Sequence, residues 1–312
     1  MFISRQERDA ISSGSGKGTN VLLTVAIATA GRRETVADLI AHLGRQTRLP
    51  NLLAICPASE DDVDRGVCQD APFPVEIIIG PKGLTSQRNV LLASTPQSEV
   101  TLFFDDDFVP DPTYLAQCEA VFEANPDVVM MTGHVIADGI LGVGFTLKEA
   151  EEFLAADPGV DDARLAPVYN CYGCNMAVRA GVARKAGLQF DETLPLYGWL
   201  EDVDFSRGLA AFGQIVKAPQ CRGVHRGVKR GRSTGVRLGY SQIANPIYLV
   251  RKNRMAPSRA LAQMSRNLAQ NLARSLRPEP WVDRKGRLMG NLRGLGDFVL
   301  GRLNPAKIVD MP

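Results

Sequence analysis

Short apolar runs alternate with amphipathic stretches through the first half of the chain. Val21–Thr29, VLLTVAIAT, is apolar at both alternating positions, which predicts a central strand covered on both faces. GRRETVADLIAHLGRQT follows with Val36, Leu39, Ile40 and Leu43 at helical spacing. Leu52–Cys56 and Val75–Ile79 read as two further strands, TSQRNVLLAST opens a helix, and Val100–Phe104 makes a fourth strand. This alternation predicts an α/β fold on a parallel, doubly wound sheet, in which ligands bind beyond the carboxyl ends of the strands.

The second half is less regular. DVVMMTGHVIADG reads as a strand, TLKEAEEFLAA as a helix, and Asp157–Pro167 as a Pro/Asp-rich loop. YNCYGCNMAVRAGVARKAG runs from strand into short helix, and EDVDFSRGLAAFG is a helix with Val203, Leu209, Ala210 and Phe212 inward. In SRALAQMSRNLAQNLARSL, Leu261, Met264, Leu268, Leu272 and Leu276 share one stripe with arginines elsewhere. Gly286–Leu303 mixes apolar and Arg positions again, with glycines that weaken a helix.

Charge divides the chain. Residues 1–220 hold 17 Lys/Arg against 30 Asp/Glu, whereas residues 221–312 hold 19 against 4. A basic final third calls for an anionic partner: phosphates, a membrane surface, nucleic acid or the acidic remainder of the same chain. No apolar run approaches the roughly 18 residues of a membrane span. The Ser/Gly-rich start lacks the features of a signal peptide, so residues 1–20 are expected to form a mobile tail. Six scattered cysteines suit reduced thiols in a cytoplasmic protein.

Candidate chemistry clusters at the predicted strand end. In FFDDDF, Asp105, Asp106 and Asp107 are consecutive, and three carboxylates at one point repel unless something holds them. Hard oxygen ligands suit Mg²⁺ or Mn²⁺ completed by substrate phosphates, whereas a solvated acidic turn is the bland alternative. In LYGWLEDVDFSRGL, Glu201 and Asp202 fall at a helix start, where the dipole favours carboxylates, and Trp199 offers an aromatic face to a sugar. GPKGLTSQRN puts Arg88 and Asn89 within reach of a phosphate or ribose, without matching a P-loop or dinucleotide fingerprint. His225 is either structural or a ligand. Cys171, Cys174, Cys221 and His225 have the composition of a Cys₃His zinc site, with a long gap between the halves.

The ordered set ATAGR, QRN, FFDDDF, GCNMAVRA, YGWLEDVDFSRG and a later His resembles the family-2 inverting glycosyltransferases of GT-A fold, over about residues 21–253. The resemblance implies a GT-A domain, Rossmann-like with a mostly parallel sheet flanked by helices, over 21–253, leaving 254–312 as a basic helical extension. It implies that Asp107 and His225 bind Mn²⁺ or Mg²⁺, and that Asp105 and Asp106 orient the donor's ribose and diphosphate. Ala28, Thr29, Arg32, Arg88 and Asn89 would line the donor cleft. Asp202 would be the general base, with Glu201 its neighbour and Trp199 in the acceptor pocket. The implied partners are a nucleotide sugar, UDP-linked by expectation, and a saccharide or lipid-linked saccharide acceptor, as in surface polysaccharide assembly. No nucleic acid is expected; the basic end would make a peripheral contact at the inner membrane face, pack on the protein or pair subunits in a homo-oligomer.

One departure concerns the second strand, which ends LLAICPASEDD where family members carry an aspartate against the nucleobase; Ser59, Glu60 and Asp61 are the substitutes at hand. Two rivals share parts of this reading. A sugar-1-phosphate nucleotidyltransferase would normally carry a Gly-rich, Arg/Lys-bearing loop after the first strand, where ATAGRRETV has one glycine. A polysaccharide-assembly subunit could bind the nucleotide sugar without turning it over, against which Asp107, Asp202 and His225 argue. The acceptor pocket is expected from the loops of Gly139–Pro167.

Overall fold

In the computed structural model, which describes residues 21–229 and 233–312, strands β1 (Leu23–Thr29), β2 (Leu52–Pro57), β3 (Val75–Ile77) and β4 (Val100–Asp105) run parallel. Between them lie helices α1 (Arg33–Leu43), α2 (Arg65–Gln69) and α3 (Leu84–Ser94). Side chains alternate across this sheet with period two. Leu23, Val25 and Ile27 join one core layer with Val36, Leu39, Ile40 and Leu43 of α1. Ala26, Ala54 and Phe103 join the other with Leu91 and Leu92 of α3. Each fully buried Leu, Ile or Phe contributes about 1.5–3 kcal/mol over its exposed state. β3 ends two residues before the predicted Ile79, which is exposed at the sheet edge.

Beyond β4 the strand directions mix. The chain continues through β5 (Phe108–Pro110), α4 (Tyr114–Ala124), β6 (Val128–Asp138), α5 (Leu147–Ala156), β7 (Ala166–Pro167), β8 (Asn175–Arg179), α6 (Ala180–Lys185), α7 (Glu201–Leu209) and β9 (Gln214–His225). The sheet order is β3-β2-β1-β4-β8-β6-β9-β5, with β7 on β9. β8 lies antiparallel between β4 and β6, so the sheet is parallel in its first half and mixed in its second. β6 and β9 are parallel with three register irregularities, and this pairing sets Asp138 beside His225. β5 runs antiparallel to β9 and sets Phe108 opposite the same histidine.

Helices α8 (Gly235–Arg251), α9 (Pro257–Arg274) and α10 (Arg284–Val299) close the chain. The glycines that weaken α10 as an isolated helix are its packing surface: a Cβ on Gly290 would lie 2.1 Å from Val236 O, and one on Gly239 of α8 would lie 2.0 Å from Arg287 O. The predicted stripe of α9 is rotated. Ala260 and Asn271 are buried and Met264 and Leu268 half-buried, whereas Leu261 and Leu272 are exposed, as is Leu276 beyond the helix end. A polar knot causes the rotation. Asn271 donates to Gln242 Oε1 and to Asn291 Oδ1 over 2.8 Å each, Asn291 donates to Gly239 O over 2.7 Å, and Arg284 donates to Asn271 Oδ1 over 3.1 Å. Buried amides must be paired, and that demand outweighs burying two more leucines. The expected tail, residues 1–20, lies outside the described residues.

Candidate active site

The carboxyl end of β4 delivers the three aspartates to three environments. Asp105, paired in register with Ala28, faces the cleft half-exposed. Asp106 turns back beneath β1, accepting from Thr29 Oγ1 over 2.7 Å and from Arg32 Nη1 over 2.7 Å. Burial lifts its carboxyl to about 6 against the pull of Arg32. Asp107 accepts from the Val228 amide through Oδ2 over 2.7 Å. Its burial would raise it, but His225 and Arg32 hold it at about 2.

His225 ends β9 with its Nε2 3.3 Å from Asp107 Oδ1 and 3.9 Å from Asp105 Oδ2. Its Nδ1 meets Asp138 Oδ1 at 2.9 Å, and Tyr172 donates its hydroxyl to Asp138 Oδ2 at 2.9 Å. A carboxylate on Nδ1 fixes the ring and leaves Nε2 to face the aspartates, the usual support of a ligating histidine. Burial disfavours the imidazolium, yet Asp107 and Asp138 lift His225 to about 10 when no cation competes. The β6–β9 register that provides Asp138, and the loop before β8 that provides Tyr172, have no counterpart in local sequence pattern, so neither residue is predicted.

These side chains suit a divalent cation. One ligand atom each from Asp105, Asp107 and His225 lie within 4.8 Å of one another. Asp107 Oδ1 is buried with no well-aligned hydrogen bond, its nearest polar neighbour being His225 Nε2 at 3.3 Å, so it is available to the cluster. Two carboxylates and an imidazole match the preferences of Mn²⁺ or Mg²⁺. The cysteines form no such site: Cys171 packs in one core layer, and Cys174 and Cys221 in the other.

Helix α7 supplies the second pair of acids. The preceding loop crosses Leu196 at φ 59° and Leu200 at φ 71°, left-handed conformations that side-chain-bearing residues rarely adopt. Asp202 accepts from the Gly173 amide over 3.1 Å and from the Val203 amide over 2.8 Å. Burial raises its pKa against those two hydrogen bonds. Glu201 is buried on Arg88, and burial lifts it to about 8 although Arg88 pulls the other way. Gly173 is pressed between them: a Cβ there would stand 3.0 Å from Glu201 Oε1.

Arg88 and Asn89 do not line the cleft of Thr29 and Arg32; Arg88 borders the adjoining cleft of Asp105 and Glu201 instead. Arg88, 1% exposed, lies between the Phe103 and Phe190 rings and donates to Glu201, to Asp105 at 3.1 Å and to Gly173 O at 2.8 Å. Asn89 faces away from the site, donating to Phe190 O over 2.9 Å and accepting from Phe190 N over 2.8 Å. Ser59, Glu60 and Asp61 line none of the clefts described here; Asp62 is engaged with the Gly31 amide at 2.6 Å.

Two adjoining clefts open at the strand ends. One, of about 270 Å³, is lined by Ala28, Thr29, Arg32, Lys82, Gln87 and Asp106. The other, of about 230 Å³, is lined by Asp105, Tyr172, Trp199, Glu201, Asp202 and His225. Leu84, Asp105 and Tyr197 border both. Lys82 and Gln87 are lining residues not singled out from the sequence, although Gln87 opens the QRN motif and Lys82 lies five residues before it. Of the expected acceptor loop, Ile140 reaches the second cleft.

The mixed sheet flanked by helices has the GT-A fold. Among solved structures that share it, S. aureus TarS 1-349 matches with a TM-score of 0.55 at 13% identity, over 93% of this chain and 82% of that one. The same TarS fragment in complex with UDP-GlcNAc matches with a TM-score of 0.53 at 13% identity, over 89% and 80%. The mannosyltransferase PcManGT from Pyrobaculum calidifontis, in complex with GDP-Man and Mn²⁺, matches with 0.54 at 13% identity, over 94% and 93%. GalNAc-T7 with UDP, GalNAc and Mn²⁺ matches with 0.53 at 11% identity, over 95% of this chain and 57% of that one. No family model matches the chain, and no curated protein matches its sequence.

Proposed function

We propose that the protein is a metal-dependent, inverting glycosyltransferase that moves a sugar from a nucleotide-diphosphate donor, UDP-linked, to a saccharide or lipid-linked saccharide. The observation that carries this reading is a single cleft lined by Asp105 and His225 on one side and by Glu201 and Asp202 on the other. Glycosyltransferases of the same fold bind UDP-GlcNAc, GDP-Man and UDP, two of them with Mn²⁺, which supports the donor class and the metal.

The chemistry follows from the residues. Thr29 and Arg32 hold Asp106 beside the donor cleft, and Asp138 holds His225 toward Asp107. A divalent cation held by Asp105, Asp107 and His225 supplies positive charge against the departing nucleoside diphosphate. Asp202, steadied by two backbone amides, accepts the proton of the acceptor hydroxyl. The hydroxyl oxygen bonds to the anomeric carbon as the bond to the diphosphate oxygen breaks on the opposite face, which inverts the centre. Arg88 positions Asp105 and Glu201 through its two ion pairs.

A donor screen tests the reading: UDP- and GDP-sugars are incubated with Mn²⁺ or Mg²⁺ and released nucleoside diphosphate is measured. The expected result is metal-dependent release and, with an acceptor, an NMR spectrum of the inverted anomer. Donor binding without release favours the non-catalytic subunit, and retention of configuration removes Asp202 as base.

We also propose that the C-terminal helices make the peripheral contact with anionic headgroups that the charge asymmetry suggests. Leu261 and Leu272 stand 63% and 59% exposed on α9, on a stripe apart from its arginines, with Leu276 just beyond the helix end at 88%. None of the described helices is long and apolar enough to cross a membrane. Arginines near anionic lipid contribute roughly 1 kcal/mol each. Co-flotation with phosphatidylglycerol vesicles at low salt, lost at high salt, is expected; no flotation at low salt removes the contact.

A further inference from the structure

A third cavity, of about 340 Å³, lies against the opposite side of the α7 start from the metal-binding cluster. It shares Leu200 and Asp202 with the neighbouring cleft, and its wall also includes Tyr169, Arg259, Gln263 and Arg266 beside the apolar Val203 and Met255. Arg259, Gln263 and Arg266 follow i, i+4, i+7 spacing, so α9 turns one polar stripe into the cavity. The Arg259 guanidinium lies over the Tyr169 ring at 4.1 Å. Tyr169 is itself fixed, since its hydroxyl accepts from the Ala256 amide at 3.2 Å. Stacking holds the guanidinium plane and leaves its N–H edge for a planar or tetrahedral anion.

The charge of this cavity is unbalanced. The neighbouring cations Lys252 and Arg254 are both matched by Asp204, at 2.7 and 3.7 Å. Among the described residues, Arg259 and Arg266 form no ion pair, and Asp202 is the sole carboxylate on the cavity wall. Two arginines thus stand beside the expected base, and among the described residues neither has an ion-pair partner. Because both cavities border Leu200 and Asp202, an acceptor whose hydroxyl met Asp202 would have this space next to it.

We infer that the cavity is an acceptor subsite for an anionic group, a phosphate or a carboxylate carried by the saccharide, held by Arg259 and Arg266. The inference rests on the transferase reading for its role and on the cavity alone for its chemistry, and the two are tested separately. Methyl glucoside, its 6-phosphate and methyl glucuronide are titrated into the full chain by NMR in the absence of donor. At least one anionic probe is expected to bind about tenfold or more tighter than the neutral glycoside, the value of one charge-assisted contact. The double variant Arg259→Gln/Arg266→Gln should erase that margin, whereas Arg251→Gln, on an exposed arginine of α8 that lines none of the clefts described here, should keep it. A better 6-phosphate identifies a phosphorylated acceptor, and a better glucuronide an acidic sugar. Equal binding of neutral and anionic probes, no binding of either anionic probe, or a margin that survives in the double variant overturns the inference. Failure of every donor to release nucleoside diphosphate would instead count against the transferase reading.

Discussion

The acids at the end of β4 and the acids at the start of α7 share a residue type and a cleft but not an environment. Asp107 is buried with one oxygen unmet and a histidine facing it, and it stays ionised to about 2. Glu201 is buried on Arg88 and is lifted to about 8, and Asp202 is raised too. In the first cluster Asp107 is held ionised beside its histidine while burial lifts Asp106 to about 6; in the second both acids are raised. Arg88 touches both, at Asp105 and Glu201, so one buried guanidinium spaces a carboxylate of the first cluster from one of the second. Role is therefore set by solvation and partners, not by the carboxylate itself.

Substitutions break this contrast in a graded way. Asp107→Ala removes the unmet acceptor, and metal-stimulated turnover should fall by about 10³-fold or more, with EDTA abolishing wild-type activity. Activity insensitive to EDTA would erase the distinction between the clusters. Arg88→Met leaves Glu201 buried without its cation, which should cost about 3–5 kcal/mol of stability in a denaturant melt. Adding Glu201→Gln should restore part of that loss; no recovery would show that the two residues are not energetically coupled.

Asp202→Asn keeps the shape and loses the basicity, so kcat should drop at least about 10²-fold while donor affinity stays near normal. A loss of UDP affinity would instead move Asp202 to the donor side. The pH profile gives the smallest effect. The base must be ionised, and burial favours its protonated form, so activity should fall with acid along a limb set above the ordinary carboxylate range. A limb at the usual value would mean that Asp202 is better solvated in the working enzyme.

The β4 cluster was legible because a buried strand running into acids at its carboxyl end is a local pattern with a topological meaning. The sheet's first half was legible for the same reason, apart from the length of β3. Arg88 was harder. Its sequence neighbours suggest a phosphate ligand, and only the fold reveals that Phe103 and Phe190 enclose it and two carboxylates claim it. Asn89, one residue on, points away because α3 turns about 100° per residue. β9 was missed: its Pro219 and polar positions hide a strand whose pairing with β6 is itself irregular. The α9 stripe misled because leucine spacing reports amphipathicity but not which face a polar knot will draw inward.

The joint between α8 and α10 bears on how the chain could be shortened. Gly239 and Gly290 let two backbones meet, and Asn291 closes the seam on Gly239 O. A chain cut after Asn253 would keep α8 but open that groove to water, leaving the buried face of Tyr240 without the Asp297 that accepts its hydroxyl proton at 2.8 Å. Because α8 also donates from Asn245 to Trp199 O in the strained loop before α7, loosening the seam would reach the catalytic wall. The last helices thus act as a buttress, and a chain trimmed of them should lose the Glu201–Asp202 side of the cleft before the β4 side.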